Sequence, residues 1–249
     1  MIKIENLTKK FGDLVAVDNL SLDIPQGEFF AFLGPNAAGK TTTIKVLTGL
    51  LKPTQGKVSI GGYNIQKDYV KAKSLISYIP DFPFLYEKLS GCEFLDFITS
   101  LYPQPERLAQ VELMNELLCR FGLEKDKDHL IENYSHGMRQ KLVFTAALLH
   151  QPRVMIIDEP MVGLDPRSSR VVKDVLKKKA KEGVTIFLST HTLSVAEELA
   201  DRIGIIDKGK LITVNTLENL RALSGGREKL EDIFLQLTEE ETDQRTENR

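Results

Sequence analysis

The sequence predicts an α/β fold: a parallel β-sheet flanked by helices, with an N-terminal antiparallel β subdomain and an inserted α-helical subdomain. Short, continuous apolar runs separated by helical patterns indicate the parallel sheet, whose strands are buried on both faces. Alternating apolar and polar residues indicate antiparallel strands, and a long stretch of helical periodicity indicates the insertion. The apolar runs lie at 29–33, 76–79, 154–157, 184–188 and 203–206.

The antiparallel subdomain is predicted from alternation near the N-terminus. Ile2 and Ile4 alternate with polar residues, and the same pattern recurs over residues 20–24. Together with residues 57–65, this alternation is typical of strands that bury one face and expose the other. We expect a small antiparallel sheet that covers one side of the core.

The inserted subdomain is predicted between about residues 82 and 150, where strand patterns vanish and helical periodicity dominates, as it does over residues 108–123. Residues 1–220 are expected to form the core domain, and residues 221–238 a C-terminal helical extension. Residues 239–249 contain no apolar side chain, so a disordered tail is expected there.

Composition sets limits on function. Of 249 residues, 42% are apolar and 27% are charged, and the net charge is −2, which gives no electrostatic case for a nucleic acid or an anionic membrane surface. Cys92 and Cys119 form no metal-ligand spacing and fit a reducing compartment. No apolar run approaches the roughly 18 residues of a membrane-spanning helix. The start of the chain does not have the pattern of a signal peptide. A cytosolic protein is expected.

Residues 32–43, FLGPNAAGKTTT, contain the main chemical motif. Gly34, Gly39, Lys40 and Thr41 match the pattern G-x-x-x-x-G-K-[ST], and they lie between a buried strand and a helix, as that pattern requires. The motif predicts a P-loop NTPase core. The other candidate nucleotide-binding residues of the loop are Asn36, Ala37, Ala38 and Thr42.

The chemistry of this loop follows from its residue types. Glycines let successive backbone N–H groups approach phosphate oxygens, and the helix that begins near Gly39 adds unpaired amides and its positive dipole end. Lys40 supplies a full charge to the β- and γ-phosphates, and the Thr41 hydroxyl is a magnesium ligand. The loop is therefore expected to bind a nucleoside triphosphate.

A second acidic element is expected to hold the metal. The buried strand over 154–157 ends in Asp158, a candidate Mg²⁺ ligand, and Glu159, which would orient or deprotonate a water that attacks the γ-phosphate. The alternative is a pair of solvated loop carboxylates. A third strand, 184–190, runs into His191, at the sheet edge where α/β proteins bind ligands; a purely structural histidine is the alternative there.

These motifs, in this order and spacing, resemble the ATP-binding subunit of an ABC transporter. The segment YSHGMRQKL, residues 134–142, is similar to the signature variant of exporter-type subunits. Its serine, Ser135, lies 23 residues before Asp158. The resemblance implies that Ser135, His136 and Gly137 contact ATP held by another protomer, at the N-terminus of a helix capped by Ser135.

The resemblance assigns three further residues. Asp165 lies in GLDP, similar to the loop that crosses the dimer interface. His191 matches the histidine that contacts the γ-phosphate and is assigned to catalysis with Glu159. Phe11 lies where the family stacks an aromatic ring on adenine; without the family, a core aromatic beside a strand would be the interpretation.

Three positions depart from the family pattern. Ala37 replaces a usual glycine, which costs on the order of 1 kcal/mol if that position needs a positive φ. Asp81 replaces a glutamine that reaches magnesium and the attacking water; it is a candidate metal ligand or, alternatively, a turn or helix cap. His136 replaces a glycine and is expected to be exposed at the interface as a candidate phosphate contact.

The resemblance implies a Mg²⁺-dependent ATPase that dimerises around two ATP molecules with a second ATP-binding subunit, identical or homologous. It would power a separate integral-membrane transporter subunit, of exporter type, from the cytoplasmic face of the membrane, and no nucleic-acid partner is expected. Residues 82–94 would either dock that subunit or plug the space between subdomains. The alternatives are a soluble ABC ATPase and an ATP-dependent regulatory switch. A P-loop GTPase is disfavoured because no Asn-Lys-x-Asp motif is present.

Overall fold

The computed structural model describes residues 1–102, 106–223 and 229–246, which form two sheets and surrounding helices. The strands are β1 Ile2–Phe11, β2 Leu14–Ile24, β3 Phe29–Leu33, β4 Gln55–Ile60, β5 Tyr63–Asn64, β6 Ile76–Ile79, β7 Val154–Asp158, β8 Thr185–Thr190, β9 Arg202–Asp207 and β10 Lys210–Asn215. The helices are α1 Lys40–Leu47, α2 Tyr69–Lys73, α3 Gly91–Leu101, α4 Arg107–Arg120, α5 His136–Leu149, α6 Pro166–Lys181, α7 Leu193–Leu199, α8 Leu217–Leu223 and α9 Leu230–Thr246, with a 3₁₀ turn at Ile131–Asn133.

The N-terminal sheet is antiparallel, with strand order β2-β1-β4-β5. Its buried residues are the ones that alternate in the sequence: Ile2 and Ile4 of β1 pair with Ile24 and Leu22 of β2. They pack on one face of the second sheet. This confirms the predicted antiparallel subdomain.

The second sheet has strand order β10-β9-β3-β8-β7-β6, in which β9, β3, β8, β7 and β6 are parallel neighbours. The five predicted runs therefore form the parallel sheet, and β10 adds an antiparallel edge strand that no apolar run marked. Leu33 lies beside Thr190, and Asp158 lies beside Ser189. The loops that leave β3, β7 and β8 therefore meet at one edge of the sheet.

Between β6 and β7 the chain forms α3, α4, the 3₁₀ turn and α5, as the helical periodicity predicts. Side chains of these helices, such as Leu95, Leu118 and Phe144, share one apolar core with Met155 and Ile157 of β7. The insertion is thereby fixed to the sheet face opposite the antiparallel subdomain, and α5 carries the Ser135 segment at its N-terminus.

The C-terminal helices pack on the sheet, where Leu220 and Ile233 contact the cluster that contains Ala31 and Ile203. Helix α9 continues to Thr246, whereas a disordered tail was expected from residue 239. The segment lacks Gly and Pro and is rich in Glu, a good helix former, so helical propensity extends the helix without an apolar stripe. Residues 247–249 lie outside the described residues. Among the described helices, none is long and apolar enough to cross a membrane.

Candidate nucleotide-binding site

The loop between β3 and α1 has the backbone geometry that close approach to phosphates requires. Gly39 precedes the first helical residue with φ = 105°, and a Cβ there would lie 2.5 Å from the carbonyl oxygen of Ala16. Ala37 has φ = 63°, so the alanine that replaces the usual glycine adopts the left-handed conformation. The cost expected for this departure, on the order of 1 kcal/mol, therefore applies.

The Lys40 side chain lies inside the loop between β3 and α1. Its Nζ donates hydrogen bonds to the carbonyl oxygens of Gly34 at 2.6 Å and Pro35 at 3.0 Å. Burial lowers the pKa of the Lys40 ammonium, and the nearby carboxylates of Glu159 and Asp158 oppose that shift. Lys40 is thus a buried cation held by neutral carbonyl groups, which a phosphate oxygen can replace as acceptor.

Thr41 and Asp158 bring two oxygen ligands together, because the Thr41 hydroxyl donates to Asp158 Oδ2 at 3.2 Å. Asp158 is only 4% exposed, and this burial raises the pKa of its carboxyl group. The described residues contain no cluster of three or more His, Cys, Asp or Glu able to enclose a metal. A pair of oxygen ligands without a full cage fits Mg²⁺, which keeps several waters and shares its shell with substrate phosphates.

Glu159 is held at the end of β7 by residues that follow β8. The Thr190 hydroxyl donates to Glu159 Oε2 at 3.0 Å, and His191 Nδ1 lies 2.8 Å from Oε1. Glu159 has φ = 48°, a left-handed conformation found in few residues with side chains. Both carboxylate oxygens of Glu159 are therefore oriented beside the phosphate loop. The backbone that carries them is strained.

These side chains line one cleft of about 730 Å³. It brings together Asn36–Thr42, Asp81, Asp158, Glu159 and His191 with Phe11 at its end, whereas Gly34 contributes its carbonyl oxygen beneath Lys40. Phe11 is 47% exposed, with Lys9 Nζ 4.8 Å from its ring centre, so it is not a core aromatic. Its open face can stack on a planar base.

Asp81 follows β6 and lies in the same cleft. Burial and the neighbouring Glu159 raise the pKa of its carboxyl group, while His136 and His191 oppose the shift. Burial, Asp158 and Asp81 together raise the pKa of the adjacent Tyr78 to about 12. The N-cap residues of α2 and α3 are Asp68 and Ser90, so Asp81 does not cap either of them. Its place in the cleft is compatible with the predicted role at the metal, and a role in the turn after β6 stays the alternative.

The segment Ser135–Gly137 does not line the cleft of its own chain. Ser135 caps α5, with its Oγ accepting a hydrogen bond from Met138 N at 3.2 Å. His136 is exposed and its ring covers Gly163, so that a Cβ on that glycine would overlap His136 Cδ2. The loop of Gly163, with φ = 75°, therefore packs directly on the start of α5.

Asp165 caps α6 and also lies away from the cleft. Its Oδ1 accepts hydrogen bonds from Arg167 N and Ser168 N at 2.9 and 3.0 Å, and Ser168 Oγ donates to Oδ2 at 2.5 Å. These hydrogen bonds, chiefly that of Ser168, lower the pKa of the Asp165 carboxyl. These hydrogen bonds fix the start of α6 directly after the loop of Gly163.

The sequence reasoning missed several residues of the site. Thr190 orients Glu159, and its only signal was a hydroxyl residue directly before His191. Leu14–Ala16 and Lys208–Gly209 line the cleft near Phe11. Gly209 N donates to the carbonyl oxygen of Ala38 at 2.9 Å, a contact across 171 residues that no local pattern marks.

Two curated relatives match most of the chain. The linearmycin resistance ATP-binding protein LnrL of Bacillus subtilis (strain 168) is 37% identical over 238 residues, which cover 96% of this chain and 75% of that protein. The bacitracin transport ATP-binding protein BcrA of Bacillus licheniformis is 38% identical over 222 residues, which cover 89% and 71%.

Solved structures give the same picture. An ATP-binding subunit of an ABC transporter superposes with a TM-score of 0.91 at 31% identity, over 95% of this chain and 99% of that one. A dimeric post-hydrolysis state of the ATP-binding cassette MJ0796, bound to ADP and Pi, gives 0.79 at 26%, over 87% and 99%. The family described as ABC transporter matches residues 17–162. The chain belongs to the ABC transporter family, as one of its ATP-binding subunits.

Proposed function

We propose that two copies of this chain, or this chain and a homologous one, close head to tail around two ATP molecules and hydrolyse them to drive a separate membrane transporter. One observation carries the proposal. The phosphate loop, the acidic pair and His191 share one cleft, while Ser135–Gly137 and Asp165 lie outside it on the same chain. We infer that a second chain completes each site, and the likeness to a dimeric cassette bound to ADP and Pi supports this inference.

Each residue has a defined task in this reaction. The adenine stacks on Phe11, and the phosphate oxygens accept hydrogen bonds from the loop amides and from Lys40 Nζ. Thr41 and Asp158 would hold Mg²⁺, which neutralises charge on the phosphate oxygens. Glu159, oriented by Thr190 and His191, directs a water at the γ-phosphate and accepts its proton.

The membrane partner has a candidate docking groove between the sheet and the helical subdomain. The groove has a volume of about 390 Å³ and is lined by apolar and aromatic residues that include Tyr78, Phe84, Phe94 and Tyr102. Phe82 and Phe84 are 80% and 86% exposed, whereas Leu85 and Phe94 are buried in the core that the helical subdomain shares with the sheet. Residues 82–94 therefore pack between the subdomains and also present exposed aromatic rings. Exposed aromatic rings beside an apolar groove are typical of a protein-binding surface.

The transport direction is proposed from the relatives. LnrL is named for linearmycin resistance and BcrA for bacitracin transport. Both names fit a subunit that powers removal of a toxic compound from the cell. The compound would be selected by the membrane subunit, so an exporter is proposed here without a particular substrate.

The proposal is tested by sizing and turnover of Glu159→Gln and wild-type protein with Mg²⁺ and ATP. Glu159→Gln should form a dimer only with ATP, because it binds nucleotide but cannot accept the water's proton. Wild type should hydrolyse ATP, and the substitution should lower turnover by roughly 10²–10⁴-fold. If wild type binds ATP without dimerising or hydrolysing it, the chain would be an ATP-dependent regulatory switch instead of a motor.

A further inference from the structure

The net charge of −2 conceals a strongly basic segment. Between Ile44 and Leu75 the sequence has six lysines, no arginine and one acidic residue, Asp68. Five of these lysines are exposed at the end of α1 and around α2: Lys45, Lys52, Lys67, Lys71 and Lys73. Together these five lysines make up a surface that we call the basic face.

Packing brings the two parts of the basic face together. The stem of Lys73 crosses the turn after α1, where a Cβ on Gly49 would lie 3.0 Å from Lys73 Cε. Lys71 Nζ lies 5.6 Å from the ring centre of Tyr63, a cation–π contact that links α2 to β5. The charged side chains of α2 therefore lie beside the turn that follows α1 and beside β5.

Apolar side chains project among these charges. Leu50, Tyr63, Tyr69 and Val70 are all exposed, and Val70 is 65% exposed although it lies in a helix. Tyrosine is enriched at membrane–water interfaces because its ring is apolar and its hydroxyl is polar. A solvated face would more usually carry polar residues at these positions.

The charges of the basic face are not neutralised within the part of the chain that the structure describes. None of the five lysines appears among its ion pairs, in contrast to the lysines of α6, where Lys173 and Lys177 both pair with Glu198. The one acidic residue of the segment, Asp68, accepts a hydrogen bond from Asn64 N at 3.2 Å. The positive field of this face is therefore available to an external anionic surface.

We propose that the basic face binds the headgroups of anionic phospholipids, so that the chain contacts the bilayer directly beside its membrane partner. Lysine ammonium groups spread over several elements suit a diffuse layer of negative charge, and tyrosine and valine reach the boundary of the headgroups. A nucleic acid fits less well, because residues 44–75 contain no arginine for bidentate contacts with bases or phosphates.

The position of the basic face supports this occupant. Leu50 and Lys73 also line the groove that contains Phe84 and Tyr102, which is the proposed docking site of the membrane subunit. A chain docked through that groove brings the adjacent basic face toward the bilayer in which its partner is embedded. Only this location rests on the proposed function; lipid binding itself needs neither ATP nor a partner.

The test is co-sedimentation of the purified chain, without nucleotide, with vesicles of phosphatidylcholine alone or mixed with phosphatidylglycerol. Each lysine near an anionic surface changes partitioning by roughly five-fold. Replacing Lys67, Lys71 and Lys73 by Gln should therefore weaken binding to anionic vesicles by up to about a hundred-fold. Neutral vesicles should bind neither protein, and salt should weaken binding because exposed charges are screened within about 8 Å at physiological ionic strength.

A matched variant separates the basic face from net charge. Replacing Lys178, Lys179 and Lys181 by Gln makes the same charge change on α6 and should leave vesicle binding nearly unchanged. Equal loss in both variants, or no binding of wild type to anionic vesicles, would overturn the proposal. The proposal would also be overturned if replacing the three lysines of the basic face weakened only the binding of the detergent-purified membrane subunit and not the binding of vesicles. The basic face would then bind an acidic protein surface. Unchanged ATP binding and thermal midpoints would establish that both variants are folded.

A spectroscopic reporter tests contact directly. The chain has no tryptophan, so Tyr69→Trp introduces a single fluorophore on α2. Its emission should shift to shorter wavelength with anionic vesicles and stay unchanged with neutral ones. Emission unchanged with both would show that the face stays in water and would contradict the proposal. Failure of these lipid tests with intact ATP turnover would leave the ATPase proposal standing.

Discussion

At the scale of single residues, the contact between His136 and Gly163 accounts for two features of the sequence. Gly163 needs a left-handed backbone, and its missing side chain leaves room for the His136 ring. Substitution at Gly163 therefore meets a penalty from backbone conformation and must also displace the exposed His136 ring.

Gly163→Ala should lower the free energy of unfolding by about 1–2 kcal/mol for the backbone conformation, plus a smaller cost for displacing the exposed His136 ring. Gly122→Ala is the matched control, because Gly122 has φ = 66° with nothing within 4 Å of a built Cβ, and it should cost only about 1 kcal/mol. Adding His136→Ala to Gly163→Ala should recover the steric part in a urea-denaturation cycle. Additive effects would show that the ring does not oppose the new methyl group.

A second residue-scale prediction concerns Asp158, whose pKa is raised by burial. A carboxyl group with a raised folded-state pKa stabilises the fold at low pH, and that contribution is lost as pH rises through the folded pKa. Asp158→Asn should therefore raise the thermal midpoint of the ATP-free, Mg²⁺-free protein at neutral pH. The gain should shrink as the pH falls through the raised pKa, where wild type is also uncharged.

The control for this substitution is Asp174→Asn on the exposed side of α6, which should leave the midpoint nearly unchanged. Asp158→Asn should also lose Mg²⁺-dependent ATP binding, since a carboxylate ligand is removed. A midpoint that falls at neutral pH would show that the buried carboxylate stabilises the empty site.

At the scale of elements, two helices of the inserted subdomain begin with a serine cap. Ser90 Oγ accepts from Glu93 N at 3.2 Å, and Glu93 Oε2 accepts from Ser90 N at 2.7 Å, a capping box on α3. Ser135 caps α5 in the same way, without the reciprocal bond. Comparison of the two serines can therefore separate the capping role from the functional role proposed for Ser135.

Ser90→Ala and Ser135→Ala should each lower the free energy of unfolding by about 0.5–2 kcal/mol, because each helix loses one cap. Only Ser135→Ala should reduce ATP turnover and ATP-dependent dimerisation, because its hydroxyl is proposed to contact the partner's nucleotide. Equal ATP turnover in the two variants, measured beside the denaturation curves, would show that Ser135 acts only as a helix cap.

Local sequence patterns predicted elements well wherever burial was complete. The run at 29–33 coincides with β3, and β7 extends the run at 154–157 by one residue, because continuous apolar residues have no other stable placement. Strand β10 was not predicted, since Lys210–Asn215 is half-buried and its pattern is ambiguous. The five-residue helix α2 is too short to show a period.

The predictable residues of the site are those whose short sequence motif by itself indicates a specific chemical role. Lys40, Thr41 and Asp158 were assigned from local patterns, and their side chains converge. The packing of His136 on Gly163, and the hydrogen bond from Gly209 to Ala38, join residues that are distant in sequence. Contacts of this kind depend on tertiary packing, which a single sequence does not encode in any short window.

At the scale of the whole molecule, we propose that one chain holds half of each ATP site. Ser135 is not among the residues that line the cleft with the phosphate loop, and a second chain is proposed to supply it. Two defects placed in different halves of the site should therefore complement each other when the chains are mixed.

The measurement that tests this most directly is ATP turnover by a mixture of Lys40→Ala and Ser135→Arg proteins. Each variant alone should be inactive, because every site of its homodimer carries a defect. In the mixed dimer, one site combines an intact Lys40 with an intact Ser135, so turnover should appear on mixing and should peak near equal proportions. If no activity and no ATP-dependent dimer appear at any ratio, a head-to-tail sandwich of two copies of this chain is contradicted.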